Sequence, residues 1–426
     1  MTKASPATGN LATTPLSQTT TILIRIFAMP EENRRSTTRK LKIAVLVRNF
    51  VITGGTERYS YQVSRRLARQ HDVHVFCQKW DPALTEGLTI HQIPRSFTKP
   101  SFINKILFSW FCGRAVDESF DLIHSHARVC RFDVLSIHSP CYRGFLTRSR
   151  GIRKFFLWLG ELTSPRGLAY LWLEKCHYTF RPNRFLIADS RMVKNNVLEN
   201  YELPPDCISV AYPGVDLEGL DRALAKTDRE ELRQRHGLTP EDYALLFVGT
   251  EFKRKGLDAL LKGLSQAKNR EAKLLVVGGG DISTYRAKAR QLGLADRVSF
   301  LGLSAEIYPL YILADAFILP TLSDPCPIAP LEAMTCGTPT VMSDTKWCGT
   351  AEHVKDDEAV ILRDPRDSGE IARAIDRLAD PEVRRGYAER GRNLGRTLGW
   401  EHTTEITLDV FDRVLRGRDK AAQTEI

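Results

Sequence analysis

Short apolar runs alternate with longer stretches in which apolar positions recur at helical spacing, and this alternation occurs twice along the chain. The first series predicts strands at 42–47, 73–77, 121–124 and 134–138, with helices at 57–70 and 104–118. The second predicts strands at 243–248, 273–277, 297–300, 316–319 and 340–342, separated by helices at 256–267, 283–292, 305–314 and 328–335. Strands that are apolar at nearly every position and joined by amphipathic helices indicate α/β architecture, with parallel sheets covered on both faces. Two such series predict two doubly wound domains facing each other, one over 41–213 and one over 214–399, with the boundary near Pro213-Gly214. A last helix is expected at 403–416. The length agrees, because 426 residues exceed one ordinary core.

The formal net charge of +10 is local rather than general. Residues 1–40 hold six Lys/Arg against two Glu, and residues 142–184 hold nine against two, which leaves the rest of the chain near neutral. The Thr-, Ser- and Pro-rich stretch 1–40 reads as disordered or as an over-long start before Met29. Its apolar fragment 22–27 is interrupted by Arg25 and is too short for a signal-peptide core or a membrane span. No run of about 18 apolar residues occurs, so the expected location is cytoplasmic, with membranes touched only from outside. Nine cysteines show neither a C-x-x-C pair nor zinc-ligand spacing, which predicts reduced thiols and no metal site.

Between 142 and 184 nine aromatics, among them Phe155, Phe156, Trp158, Tyr170 and Trp172, alternate with nine cations. Such a mixture suits a bilayer interface, with rings at headgroup level and Lys/Arg on anionic lipid. It equally suits a helical excursion packed on the first domain. No recognition module for nucleic acid accompanies the charge, so nucleic acid is not an expected partner.

Open α/β sheets bind ligands beyond the carboxyl ends of their strands, and the chain's chemistry gathers there. Asp324 and Glu332 straddle the passage from strand 316–319 into a loop and a helix, which Gly337 and Pro339 bring to an end. Arg254 and Lys255 precede Gly256 and the next helix, and two cations beside a helix N-terminus suit a pyrophosphate. Gly249 ends the preceding strand. Gly54-Gly55, ahead of a helix opened by Thr56-Glu57, either lets backbone amides approach an anion or forms a tight loop. Gly278-Gly279-Gly280 reads as a flexible strand exit, and the lone strand-end His138 reads by itself as structural more readily than functional.

Gly54-Gly55-Thr56-Glu57-Arg58, Pro213-Gly214-Val215-Asp216, Val248-Gly249 with Lys255-Gly256, Phe300-Leu301-Gly302, and Asp324 with Leu331-Glu332-Ala333-Met334 through Gly337-Thr338-Pro339 occur in the order found in family 4 glycosyltransferases. The chain resembles that family over about 41–415. The resemblance implies the GT-B fold of two facing Rossmann-like domains, with a C-terminal segment, 400–426, crossing back onto the first. It also implies retaining transfer of a sugar from a nucleoside diphosphate sugar, without metal or other cofactor. Donor binding would fall to Gly54, Gly55, Gly249, Arg254, Lys255, Asp324, Ile328, Ala329 and Glu332. His138, Arg254, Lys255 and Asp324 would be catalytic, and Asp133 would bind the acceptor. In this pattern Glu332 holds the ribose hydroxyls, Asp324 contacts sugar hydroxyls, the two cations bind the pyrophosphate and His138 stands near the reacting centre.

The chain departs from the family in having Asp324 where Glu is usual. Pro325 and Pro327 also lack amide hydrogens that a glycine-rich loop would offer the sugar, which leaves sugar choice open. The basic aromatic insertion resembles the membrane-interacting region of family members that build lipopolysaccharide core. It implies a glycolipid acceptor, an anionic membrane surface as partner and UDP-glucose as the first donor to try. The alternatives are transfer to an exopolysaccharide or another glycolipid, or a catalytically weak nucleotide-sugar-binding or scaffold protein.

Overall fold

Strands buried on both faces need apolar side chains at successive positions, and the runs Tyr243–Val248 and Ala316–Leu319 form strands over those residues, with all but Val248 buried. The computed structural model describes residues 39–52, 54–95, 99–147, 159–304 and 306–424. The disorder expected before residue 39, and Phe155, Phe156 and Trp158 of the basic aromatic insertion, lie outside the described residues.

The unit spanning Leu41–Ile426 contains two large sheets and a two-stranded one. Strands β1 (Lys42–Leu46), β2 (Asn49–Phe50), β3 (Asp72–Cys77), β4 (Lys79–Trp80), β5 (Thr89–Gln92), β6 (Leu122–Ser125), β7 (Val134–Ile137), β8 (Phe185–Ala188) and β9 (Ile208–Val210) belong to the first part of the chain. Seven of them form a sheet ordered β5-β3-β1-β6-β7-β8-β9, while β2 and β4 pair separately. Strands β10 (Tyr243–Val248), β11 (Ala272–Val277), β12 (Val298–Gly302), β13 (Ala316–Leu319), β14 (Thr340–Ser343) and β15 (Val360–Leu362) form the second sheet, ordered β12-β11-β10-β13-β14-β15. Every pairing in both sheets is parallel. Strand order reverses beside β1/β6 in one and β10/β13 in the other, and such reversals open a crevice at the strand carboxyl ends.

Alternation along β1 shows why the first sheet needs cover on both sides. Ile43 and Val45 enter one apolar core, whereas Ala44 and Leu46 enter another. The first of these cores also takes Trp400, Val410, Phe411 and Val414 from the helix Trp400–Thr424. Buried threonines are tolerable in that helix because Thr404 and Thr407 donate to the carbonyls of Trp400 and Thr403 at 2.9 and 2.8 Å. The chain crosses between the sheets at Val215 and returns at Leu398–Gly399, where Val215 N donates to Leu398 O at 2.8 Å. Gly214 fits there because a Cβ would lie 2.4 Å from Trp400 N.

Several boundaries shift by a few residues from expectation, the helix expected at 403–416 running Trp400–Thr424, and two of the shifts bear on the site. Strand β7 stops at Ile137, so His138 stands free of it at the carboxyl end. The helix expected at 305–314 is the shorter Tyr308–Leu313, because Pro309 has no amide hydrogen and is tolerated only in a first turn. No helix among the described residues is long and apolar enough to cross a membrane.

Candidate active site

Beyond β10 the backbone must turn sharply to bring Arg254 and Lys255 against the exit of β13. Gly256 caps the helix Leu257–Gln266 at φ 83°, and a Cβ there would sit 1.8 Å from Pro320 O. Gly249 has a related constraint, since its Cβ would press on the Lys255 side chain at 2.9 Å. Gly278, expected as a flexible exit, is instead a point of close approach: a Cβ would lie 1.8 Å from Gly249 O. The Arg254 carbonyl accepts from Leu322 N at 2.8 Å, and its Nη1 donates to Ser323 O at 2.8 Å, so the cation loop is bound to the loop that carries Asp324.

Asp324 is itself held by its backbone, with its N donating to Trp347 O at 2.8 Å and its O accepting from Gly349 N at 3.0 Å. Its buried carboxylate pairs directly with Lys255 Nζ and lies 3.3 Å from Arg254 Nη1. Arg254 also donates from Nε to Glu251 at 2.7 Å. Burial pulls the Arg254 pKa down, but the carboxylates of Asp324 and Glu251 outweigh it and hold the guanidinium above its ordinary value.

Glu332 rides the helix Ile328–Cys336 and is 3% exposed. One carboxylate oxygen pairs with Arg58 of the helix Gly55–Leu67, and the other accepts from the Tyr311 hydroxyl at 3.1 Å. The carboxylate raises the Arg58 pKa against its burial, while burial and then Glu332 raise that of Tyr311. Ile328 and Ala329 open the same helix, where amide groups have no carbonyl four residues back within the helix. Ile328 packs toward the first sheet's core and Ala329 toward the second's.

Opposite them, His138 Nδ1 lies 3.8 Å from Asp189 Oδ2, and its Nε2 lies 3.2 Å from His126 Nδ1. The Tyr59 ring packs edge-on at 4.7 Å between centroids. Burial raises the Asp189 pKa, His138 opposes the rise, and Asp324 adds to it across the cleft. His126, buried, is held well below its ordinary value by burial and by His124 and His138, which keeps its imidazole neutral. Gly349, beside Asp324, has no room for a side chain because a Cβ would meet Ser190 Cβ at 2.9 Å. The structure thus brings His138, Arg254, Lys255, Asp324 and Glu332 to one cleft, together with Arg58, which the sequence reading names only as part of the glycine motif, and with Tyr311, His126 and Asp189, which it does not single out.

The glycine pair divides. A Cβ on Gly54 would fall 2.3 Å from Glu57 Oε2, whereas Gly55 has open space around its own. Asp133 is not brought to the cleft, contrary to its expected place at the acceptor. It precedes β7 at the opposite edge of the sheet, where its Oδ2 accepts from Ile123 N at 2.8 Å and its Oδ1 pairs with Arg418. Both bonds fasten the strand entry and the C-terminal helix, so its oxygens are already committed. Among the described residues no group of three His, Cys, Asp or Glu side chains is placed to hold a metal ion.

Comparison with known proteins bears on the family and the fold. A family model described as glycosyl transferases group 1 matches residues 228–394, and one described as glycosyltransferase family 4 matches residues 53–218. The chain is 30% identical over 407 residues to the D-inositol 3-phosphate glycosyltransferase of Acidothermus cellulolyticus, covering 87% of this chain and 88% of that protein. It is 23% identical over 385 residues to the lipopolysaccharide glucosyltransferase WaaG of Escherichia coli K12, covering 88% of this chain and 100% of the relative. A crystal structure of WaaG matches with a TM-score of 0.76 at 21% identity, over 87% of this chain and 99% of that one. Anabaena HepE in complex with UDP-glucose matches with a TM-score of 0.66 at 17% identity, over 89% of this chain and 100% of its own.

Proposed function

Because the chain belongs to glycosyltransferase family 4, we propose that it moves a sugar from a nucleoside diphosphate sugar, with UDP-glucose the first candidate, to a lipid-linked saccharide of the lipopolysaccharide-core kind, with retention at the anomeric carbon. The observation that carries this is the meeting of Arg254, Lys255 and Asp324 with His138 in one cleft between two parallel sheets. The chief burden in such a transfer is the charge of the departing diphosphate. Fixed cations beside a helix N-terminus stabilise that charge without reorganising, and they do so most strongly where water is excluded.

Lys255 and Arg254 rest on Asp324. An arriving pyrophosphate gives both cations a new partner and leaves the Asp324 carboxylate to accept from sugar hydroxyls. Glu332, whose two oxygens face Arg58 and Tyr311, takes the ribose in this reading by exchanging those partners. The bond from the anomeric carbon to the diphosphate oxygen breaks, the acceptor oxygen bonds on the same face, and the acceptor proton passes to a phosphate oxygen. His138, oriented by Asp189 and His126, lines the reacting centre. In this reading no metal takes part.

The WaaG likeness and the insertion favour a lipid-borne acceptor. Of the large hydrophobic side chains exposed among the described residues, Phe145, Leu159, Leu162, Leu168, Trp172 and Phe180 fall within 142–184, so the outward apolar surface is concentrated there. Tyr178 packs inward and Tyr170 is half-buried, so the segment docks on the first domain and leaves an apolar face outward, which supports the reading of a membrane contact. The location proposed is the inner face of the cytoplasmic membrane, bound peripherally. The test is nucleoside diphosphate release from UDP-, GDP- and ADP-sugars, with and without heptose-terminated core lipid, with EDTA throughout. Release from one UDP-sugar, stimulated by that lipid, is expected. Silence from folded protein would point to a different acceptor class or to a protein that binds nucleotide sugar without transferring it.

A further inference from the structure

Beside His138, on the first domain's side of the cleft, lies a cavity of about 260 Å³. Separate elements bring cations to its wall: Arg48 after β1, Lys105 on the helix Ser101–Ala115, and Arg128 after β6. Lys105 Nζ and the Arg128 guanidinium both stand over the Tyr170 ring, 4.5 and 5.2 Å from its centroid, which fixes the two charges as neighbours. Lys105 also donates to the Tyr170 hydroxyl at 2.6 Å. Among the described residues neither Arg48 nor Lys105 has a carboxylate at ion-pair distance.

The acids in reach do not neutralise the cluster. Glu57 lines the cavity and attracts Arg48. Glu174 approaches Arg128 no closer than 4.0 Å and is occupied elsewhere, accepting from Tyr142 N, from Arg143 N at 3.1 Å and from the Tyr201 hydroxyl at 2.8 Å. Burial, with repulsion from Arg128 added, lowers the pKa of both Arg48 and Lys105. A second feature is independent of charge. His126 and His177 line the same cavity, are 7% and 5% exposed, and each has an Nε2 with no hydrogen-bond partner among the described residues. Buried polar atoms are ordinarily paired, and two unpartnered imidazole nitrogens on residues that border this cavity are exceptions to that rule.

We propose that this cavity binds an anionic substituent of the acceptor, a phosphate or a carboxylate, and so selects acceptors that carry such a group near the hydroxyl receiving the sugar. The assignment rests on the glycosyltransferase reading for the word acceptor, but the anion site itself does not. Charge-assisted hydrogen bonds from fixed Arg and Lys side chains suit either anion, and their position next to His138 puts the bound charge close to the reaction.

Line broadening of methyl phosphate by phosphorus NMR, and of labelled acetate by carbon NMR, reads the site in the full-length protein without any transfer. The anion that binds names the substituent. Saturable binding is expected, weakened at least about tenfold by Lys105→Gln and by Arg48→Gln, each checked for folding by circular dichroism, and retained in Lys255→Gln. Loss in Lys255→Gln but not in the other two would assign the anion to the donor cations and overturn the proposal, as would no binding to folded protein. With paired acceptors that differ only in the charged group, Lys105→Gln should raise KM for the charged one at least about tenfold more than for its neutral counterpart. Equal effects on both would overturn selection. If anion binding follows Arg48 and Lys105 while no acceptor is glycosylated, the transferase reading fails and the anion site stands.

Discussion

On the second domain's side of the cleft the two acids have partners, Asp324 with Lys255 and Arg254, and Glu332 with Arg58 and Tyr311. On the first domain's side, Arg48 and Lys105 face a cavity without such pairing, and neutral imidazoles stand in for charge. Paired charges can stay buried in an empty site because each satisfies the other until a ligand exchanges partners with it. Half-buried cations beside neutral histidines carry a desolvation cost that no such pair offsets, and an arriving anion relieves it. One half therefore stores its ligand's charge pattern within itself, while the other awaits its complement from outside.

The largest effect that separates the halves should come from acid. Burial lowers His124 and His177 to about 3, takes His126 well below its ordinary value, and lowers His353, at the second domain's turn Gly349–His353, to about 4. With folded values below the unfolded value of about 6.5, the unfolded chain takes up protons first. The stabilisation is complete above that value and is lost as pH falls toward the folded values, at up to about 1.4 kcal/mol per pH unit for each histidine. Asp189 acts oppositely: its raised pKa favours the protonated fold at low pH, and that contribution disappears as pH rises through its value. His71 and His91 in the first domain and His236 in the second are lowered as well, so five histidines against two should make the first sheet the acid-labile one. Hydrogen exchange at pH 7 and at pH 5 should show greater loss of protection at Leu122–Ser125 and Val134–Ile137 than at Tyr243–Val248. Equal loss would mean that the halves open together.

Next in size is Lys255→Ala, which removes a fixed charge from the diphosphate's position and should lower turnover about 10²–10³-fold. Folding should suffer less, since Asp324 keeps Arg254 at 3.3 Å and both backbone bonds. Steady-state kinetics beside a denaturant titration checks this. Normal turnover at normal stability would take Lys255 out of the site.

The same contrast explains what could be read without coordinates. The second domain's half lies in contiguous stretches, 249–256 and 324–337, so residue type and spacing suffice to expose it. The first domain's half is assembled from strand ends distant in sequence, and its members meet only because β6, β7 and β8 are neighbours. Asp189 was legible in principle, since Asp189-Ser190 follows an apolar run and Ser190 caps the next helix, but β8 is four residues long beside the basic insertion. β9 and β15, three residues each, and β5, half polar at the sheet edge, are too short or too mixed for period-based reading. Asp133 shows the reverse error. Its place just before strand 134–138 already puts it at the amino end of a parallel strand, away from where open sheets bind ligands.

A smaller effect is expected of Glu332→Gln. Losing the charge should weaken nucleoside diphosphate binding by about 1.5–3 kcal/mol, because hydrogen bonds to a carboxylate are the stronger kind. Calorimetric titration measures it, and methyl phosphate binding at the first domain's cavity should not follow. Unchanged nucleotide affinity would sink the ribose role.

The smallest effect concerns the outer face of the first domain. In the helix Pro165–Tyr178, Leu168, Trp172 and Lys175 are four and three residues apart, a spacing that aligns them on one stripe, and all three are exposed. Leu173, Glu174, His177 and Tyr178 on the other side are buried. A stripe with an aromatic, an aliphatic and a cation matches the headgroup boundary of an anionic membrane, where one Lys contributes about 1 kcal/mol. Lys175→Gln should therefore lower partition onto anionic vesicles roughly fivefold in a sedimentation assay, less so as salt rises, and leave nucleotide binding in the cleft unchanged. If partition does not move at low salt, the stripe is not the membrane contact, and the exposed side chains at 142–184 need another partner.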